Sequence, residues 1–258
     1  MTHTTLPEGT DVCWSFAGQR VLVTGAGRGI GRGAALALAR AGASVTAVAR
    51  SEGDLEALAD EARSVAGAIV TAPADVRDAA ALERIIASTE PDLLVTAAGI
   101  NRPGPITELP PEDVRDVLEI NVHGTLNACR AFGRSAIDAG RPGAVVTVSS
   151  QMGAVGYAGR VAYCASKHAV NGLTKALAIE WARYGIRVNA VAPTFVRTPL
   201  SDPMFADPEF EQEVLARIPL GRVGEVSDVT GSICFLLSAE AALITGHILA
   251  VDGGWTAQ

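Results

Sequence analysis

The chain is poor in the residues that staple small folds or hold metal ions. Its four cysteines, Cys13, Cys129, Cys164 and Cys234, lie far apart and form no C-x-x-C pair. A disulfide framework or zinc site is therefore excluded, and buried free thiols are the plain reading. The four histidines are equally scattered, none at i, i+4 spacing, and no metal is expected. No run of Lys and Arg breaks a formal net charge of −7, so no nucleic-acid partner is expected. No apolar stretch reaches membrane-spanning length without a charge, Gly or Pro, and the segment through Asp11 is polar, without a signal core. These absences describe a soluble, cytoplasmic protein with no membrane partner. No G-x-S-x-G elbow occurs, which argues against a serine hydrolase.

What is present is a repeating pattern. At 258 residues, 48% hydrophobic and 19% charged, the chain suits one large domain with a substantial core. Short β-rich apolar runs fall at 20–24, 44–49, 68–72, 92–97, 144–148, 186–191 and 247–251. Near-continuous Val, Ile and Leu without strict alternation fits strands covered on both faces, as in a parallel sheet. Helical stretches fill the intervals, near 30–41, 52–65, 78–89, 111–139, 161–184, 206–217 and 225–238. Gly42 and Gly140 stand where a left-handed helix end is wanted, Ser51 with Asp54 makes a capping-box-like start, and Pro91 stops a helix. Strand–helix alternation from end to end predicts a single-domain α/β fold. Its expected core is a doubly wound parallel sheet of about seven strands with helices on both faces. Residues 1–17 form an N-terminal extension and residues 194–217 a lid.

The first strand runs straight into Thr24-Gly25-Ala26-Gly27-Arg28-Gly29-Ile30-Gly31. Glycines there let backbone N–H groups and a helix N-terminus approach a pyrophosphate, and the position, strand one before helix one, favours a dinucleotide over a plain tight turn. An acidic residue at the end of the second strand would accept bonds from a free ribose 2′-hydroxyl. The chain has Ala49-Arg50-Ser51 instead, with no carboxylate before Glu52. Arg50 and Arg28 can clasp a 2′-phosphate, so NADP(H) is the expected cofactor and NAD(H) the alternative. Asp75, after the third strand, either bonds the adenine amino group or caps a turn.

Tyr163 and Lys167 share one helical face, one turn apart. A nearby ammonium, with the charge of an oxidised nicotinamide, would draw the phenol's pKa down toward the working range. The same spacing also suits a half-buried Tyr beside a snorkelling Lys. Ser149 and Ser150 close the fifth strand at the carboxyl edge of the sheet, where an open α/β fold places its ligand. Either hydroxyl can face a substrate carbonyl opposite Tyr163.

These pieces together make the chain resemble the short-chain dehydrogenases/reductases, from about Gly18 to Ala257. The matching motifs run from Thr24–Gly31 through Asp75-Val76, Ala98-Gly99 and Asn121. They continue with Ser150, Tyr163-x-x-x-Lys167, Arg187-Val188-Asn189, Pro193 and Thr198-Pro199, and finish at Val251-Asp252-Gly253-Gly254. The resemblance implies a catalytic tetrad of Asn121, Ser150, Tyr163 and Lys167, with Ser150 chosen over Ser149 by the family's spacing. Tyr163 would exchange the proton, Ser150 hold the carbonyl oxygen, Lys167 bind the nicotinamide ribose and Asn121 support a water leading to Lys167. Cofactor contacts are implied at Thr24, Gly25, Arg28, Gly29, Ile30 and Gly31 in the turn, and at Arg50, Asp75, Val76, Ala98 and Gly99 beyond it. Tyr163, Lys167, Pro193, Val196 and Thr198 complete that set, and substrate contacts are implied at Ser150, Tyr163 and Thr194.

The resemblance also implies a small-molecule alcohol or carbonyl substrate and a homo-oligomer, tetramer or dimer, to which apolar Trp255 near the C-terminus is expected to contribute. Two departures stand out. The family's Asn-Asn-Ala-Gly reads Thr96-Ala97-Ala98-Gly99, where Thr96 is expected to replace one hydrogen bond, and the usual Pro-Gly reads Pro193-Thr194. Asn101-Arg102-Pro103 and Gly156-Tyr157 resemble members acting on polyols and sugar acids; reduction of 3-oxoacyl thioesters is the alternative. A non-catalytic protein that senses NADP(H) is the alternative of another class.

Overall fold

The computed structural model describes residues 14–258, so Cys13 and most of the expected N-terminal extension lie outside the described residues. Seven strands form a single sheet. They are β1 (Arg20–Thr24), β2 (Ser44–Ala49), β3 (Ala68–Pro73), β4 (Leu93–Thr96), β5 (Gly143–Val148), β6 (Ile186–Pro193) and β7 (Ile248–Val251). Every pairing is parallel, in the order β3-β2-β1-β4-β5-β6-β7. The helices are α1 (Gly29–Arg40), α2 (Glu52–Glu61), α3 (Ala79–Thr89), α4 (Pro111–Leu118), α5 (Gly124–Asp138), α6 (Val161–Trp181), α7 (Pro208–Ala216) and α8 (Val226–Leu237). The expected elements are all present, with one difference. The long helix over 111–139 is interrupted by a π-turn at Glu119–His123, which carries Asn121.

The apolar runs lack alternation because each strand serves two cores. In β1, Val21 and Val23 enter one cluster while Leu22 enters the other; Leu93, Val95 and Leu94 divide the same way in β4. Successive strand side chains point to opposite faces, so a strand covered on both faces must be apolar throughout. The first core lies under α1, α2 and α8, the second under α3, α5 and α6.

Helix ends follow the sequence signals. The Ser51 hydroxyl accepts from Asp54 N at 3.2 Å and Asp78 accepts from Ala81 N at 2.9 Å. Gly42 and Gly140 take positive φ of 93° and 61°, while α3 ends on Glu90 in the left-handed region, just before Pro91. Cys129 and Cys234 are buried and Cys164 half-buried, all three as free thiols.

The topology sets the site. From β1 the chain builds outward to β3, then returns to place β4 against β1 and builds the other way to β7. Loops leaving the carboxyl ends of β1 and β4 therefore diverge and leave a crevice between them.

Candidate active site

The crevice is a cleft of about 380 Å³ that runs from the glycine turn to the lid. At one end, Gly25 has φ +69°, and a Cβ there would lie 2.6 Å from the Ala98 backbone N. A Cβ on Gly31 would lie 2.2 Å from the Gly25 carbonyl oxygen. Only glycine allows this turn to fold back on itself and on the end of β4. The helix that follows starts without help: Arg28 stands at its N-cap, no side chain caps it, and its first turn carries no acidic residue. Unsatisfied N–H groups at an uncapped N-terminus facing a cleft suit an anion. The turn therefore fits the pyrophosphate of a dinucleotide.

Arg28 and Arg50 are exposed on the cleft wall and make no ion pair among the described residues. Two carboxylates share this end. Asp75 accepts from Arg77 N at 2.9 Å and forms an ion pair with Arg77 at 2.7 Å, which holds its carboxyl below the ordinary range through the Arg77 hydrogen bonds; it caps the turn while lining the cleft. Asp54, on the first turn of α2, also lines the cleft. The Ala49-Arg50-Ser51 pattern at the end of the second strand does not point to it. The cue was the α2 start itself, since a residue three places after the Ser51 cap lies on the first turn beside the end of β2.

At the other end the loop after β5 is locked to α6. The Ser149 hydroxyl donates to Asn171 Oδ1 at 2.6 Å, and Asn171 Nδ2 donates to the Gly153 carbonyl at 2.8 Å. With Ser149 committed to packing, Ser150 is the hydroxyl that meets Tyr163. Lys167 Nζ donates to the Val148 carbonyl at 2.9 Å and lies 5.4 Å from the centre of the Tyr163 ring.

Burial dominates the electrostatics of the chain's own groups here. Burial pushes the Tyr163 phenol up to about 12, opposed by its hydrogen bond with Ser150, and Lys167 does not draw it down. Burial instead pushes Lys167 down to about 8. The reason is that the ammonium sits beside the ring, bonded to a backbone carbonyl, in a desolvated place that penalises charge on both groups.

The cleft brings together most of the expected site residues, and two stand apart. Thr24 is buried within β1, and Asn121 lies behind the cleft wall. Asn121 Oδ1 accepts from Ile100 N at 2.8 Å, while its Nδ2 donates to the Ile100 carbonyl at 2.9 Å and to Ser166 Oγ at 3.0 Å. It clamps the chain leaving β4 to α6 by both faces of its amide. Thr96 does not replace the hydrogen bond lost with the family's asparagine: its hydroxyl is buried and unpartnered.

The lid divides its work. Leu200 and Met204 line the cleft, whereas Phe205 and Phe210 pack around Phe195, with ring centres 6.1 and 5.5 Å away. Trp255 does not present an apolar face to a partner subunit. It is 7% exposed and its ring centre lies 5.9 Å from that of Phe195 in the same cluster. Three polar atoms on cleft-lining residues near Ser150 are buried without a partner: Asn101 Oδ1, Gln151 Nε2 and Thr194 Oγ1.

A family model described as enoyl-(acyl carrier protein) reductase matches residues 25–256. L-xylulose reductase of Bos taurus is 40% identical over 242 residues, spanning 93% of this chain and 98% of that protein. The chain belongs to the short-chain dehydrogenase/reductase family. As a member it is an oxidoreductase acting on CH–OH groups. Among solved structures, a protein described as an NAD(P) dependent gluconate 5-dehydrogenase from Beutenbergia cavernae, with bound NADP at low occupancy, has a TM-score of 0.90 at 41% identity, covering 95% of this chain and 100% of that one. A gluconate 5-dehydrogenase from Burkholderia cenocepacia, in complex with NADP and tartrate, has a TM-score of 0.90 at 34% identity, covering 95% and 98%. Among the described residues no helix is long and apolar enough to cross a membrane.

Proposed function

We propose that the chain interconverts a secondary alcohol and a ketone with NADP(H), on a polyol, sugar or sugar acid, with Tyr163 as the acid/base. The observation that carries the reading is the convergence of Ser150, Tyr163 and Lys167 on one end of a cleft whose other end fits a pyrophosphate. With NADP(H) held along the cleft, the reduced cofactor would supply the hydride for carbonyl reduction and the oxidised one would accept it in alcohol oxidation. Tyr163 keeps its proton at neutral pH because burial raises its pKa, which suits it to protonate a carbonyl oxygen. Ser150 is placed to donate to that oxygen. Lys167, anchored on Val148, faces the cleft and the ribose side of the cofactor site. Asn121 serves as a positioning residue, holding the end of β4 against α6.

NADP(H) is supported by Arg28 and Arg50, unpaired among the described residues, and by the NADP bound in the two gluconate dehydrogenase structures. A polyhydroxylated substrate is supported by the three bare polar atoms. Hydroxyl groups that reached them would complete their hydrogen bonding, which the acyl chain of a 3-oxoacyl thioester cannot do. The named activities of L-xylulose reductase and the gluconate dehydrogenases agree with this choice.

We also propose a cytoplasmic homo-oligomer, supported by Leu126 and Ile179, exposed on α5 and α6 at 39% and 82%. The deciding experiment is a panel of polyols, sugar acids, ketones and 3-oxoacyl thioesters followed by nicotinamide absorbance, repeated with Tyr163→Phe. The variant should lose on the order of 10²–10⁴ in rate on the best substrate. Wild-type rates in the variant would remove Tyr163 from the mechanism, and turnover of thioesters alone would replace the substrate class.

A further inference from the structure

Two arginines of this chain are largely enclosed, and they are treated differently. Arg187 donates from both terminal nitrogens to three carbonyls at the end of α8, Leu236, Leu237 and Ser238, at 2.7, 3.1 and 3.0 Å. Its donors therefore meet good acceptors. Arg160, at the start of α6 and three residues before Tyr163, is only 8% exposed and makes no ion pair among the described residues. One terminal nitrogen donates to the adjacent Gly159 carbonyl at 3.0 Å. The other reaches only the Met204 thioether at 3.2 Å, and Nε has no partner. Sulfur of this kind is a weak acceptor, and an enclosed cation without a counter-charge is costly.

Glu213, which bonds the neighbouring Tyr157, is already engaged. Glu213 accepts from the Tyr157 hydroxyl at 3.3 Å and pairs with Arg217 at 3.0 Å. The unsatisfied edge of Arg160 is thus Nε and Nη2, the pair that receives a carboxylate side-on with two parallel bonds. Met204, which contacts that edge, also lines the cleft together with Ser150 and Tyr163. A flexible thioether on the lid is easily displaced.

We propose that Arg160 receives a carboxylate of the substrate, taking the place of Met204 on its Nε–Nη2 edge, and that the substrates are sugar acids rather than neutral sugars or polyols. The inference rests on the proposed reading of the cleft as a polyhydroxyl site. It adds a residue outside the motifs of the family and selects one member of the substrate class. Arg160→Met removes the charge while keeping a long side chain, and Arg160→Lys keeps the charge but not the bidentate fork.

The test compares a six-carbon aldonate with its neutral alditol, using oxidised NADP as co-substrate. Wild type should prefer the aldonate. Arg160→Met should lose on the order of 10²–10³ in aldonate kcat/KM, carried mainly by KM. That loss should exceed the alditol loss at least tenfold, and Arg160→Lys should recover part of it. Equal losses on both substrates would make Arg160 a structural residue and overturn the proposal, as would an unaffected aldonate KM. Calorimetric titration of the aldonate separates the two readings should wild type oxidise neither compound. Binding lost in Arg160→Met then upholds the carboxylate receptor and refutes only the reaction; absent or unchanged binding refutes the receptor.

Discussion

Lys167 stores a cost that substitution should release. Burial lowers its pKa from the usual lysine range to about 8, which corresponds to roughly 3 kcal/mol of penalty on the charged form. Lys167→Met removes that penalty and fills the space, but strands the Val148 carbonyl, whose bond is worth roughly 1–2 kcal/mol. The cofactor-free variant should therefore be more stable than wild type by about 1–2 kcal/mol at pH 7 while losing activity. The difference should depend on pH with a definite sign. Below pH 8 the ammonium is charged in both folded and unfolded chains, so the full penalty applies. Between there and the unfolded value near ~10.4, the unfolded chain binds more protons and wild-type stability climbs with pH relative to the variant. Urea unfolding of both proteins at pH 7 and pH 10, analysed as the difference between them, isolates this one group. A variant less stable than wild type at pH 7, or a gap that stays constant between the two pH values, would refute the reasoning.

Other consequences are tested more simply. Alcohol oxidation should accelerate with rising pH through the alkaline range, because the Tyr163 proton held by burial must leave, while carbonyl reduction should not; parallel profiles in the two directions would contradict this. Gly31→Ala should abolish measurable NADPH binding by fluorescence titration, since its Cβ meets the Gly25 backbone at 2.2 Å and the turn cannot yield. Asp54→Asn should raise kcat/KM for NADPH roughly fivefold and leave NADH unchanged, the effect of removing about 1 kcal/mol of repulsion near the 2′-phosphate; a clear preference of wild type for NADH would undo the assignment of Arg28 and Arg50. Thr96→Val should stabilise the protein by about 1 kcal/mol in urea unfolding, by removing a buried hydroxyl without a partner.

The fold was legible because strand periodicity and helix punctuation are local. Val21, Leu22 and Val23 must all be apolar if the strand is covered twice, and the sequence alone shows that they are. The π-turn at Glu119–His123 was not legible, since nothing in Glu-Ile-Asn-Val-His breaks a helical pattern. It is set by the bonds Asn121 makes to Ile100, a contact twenty-one residues away. Strand position alone leaves Ser149 and Ser150 equivalent and only the family's spacing selects Ser150; the fold adds a physical reason, the bond from Ser149 to Asn171 across the loop. The burial that raises the Tyr163 pKa is not legible in the sequence, because spacing places an ammonium near a phenol but says nothing of how much water either keeps.

The residues that chemistry requires and those that choose the substrate thus differ in kind. Hydride exchange at a carbonyl demands a proton donor, a second donor and a cation in fixed relation, so their spacing along β5 and α6 carries a signature. Substrate choice demands only that each polar atom of the ligand find a partner, and any residue reaching the cleft can supply one. Asn101, Gln151 and Thr194 are on three different loops, and Arg160 is unremarkable in sequence. Thr194 and Asn101 stand out in the sequence only through the family resemblance, whereas Gln151 and Arg160 become visible as unmet hydrogen-bonding capacity in the fold. In this chain spacing places Tyr163 and Lys167 on one helical face, whereas the unmet bonds of Gln151 and Arg160 belong to the fold alone.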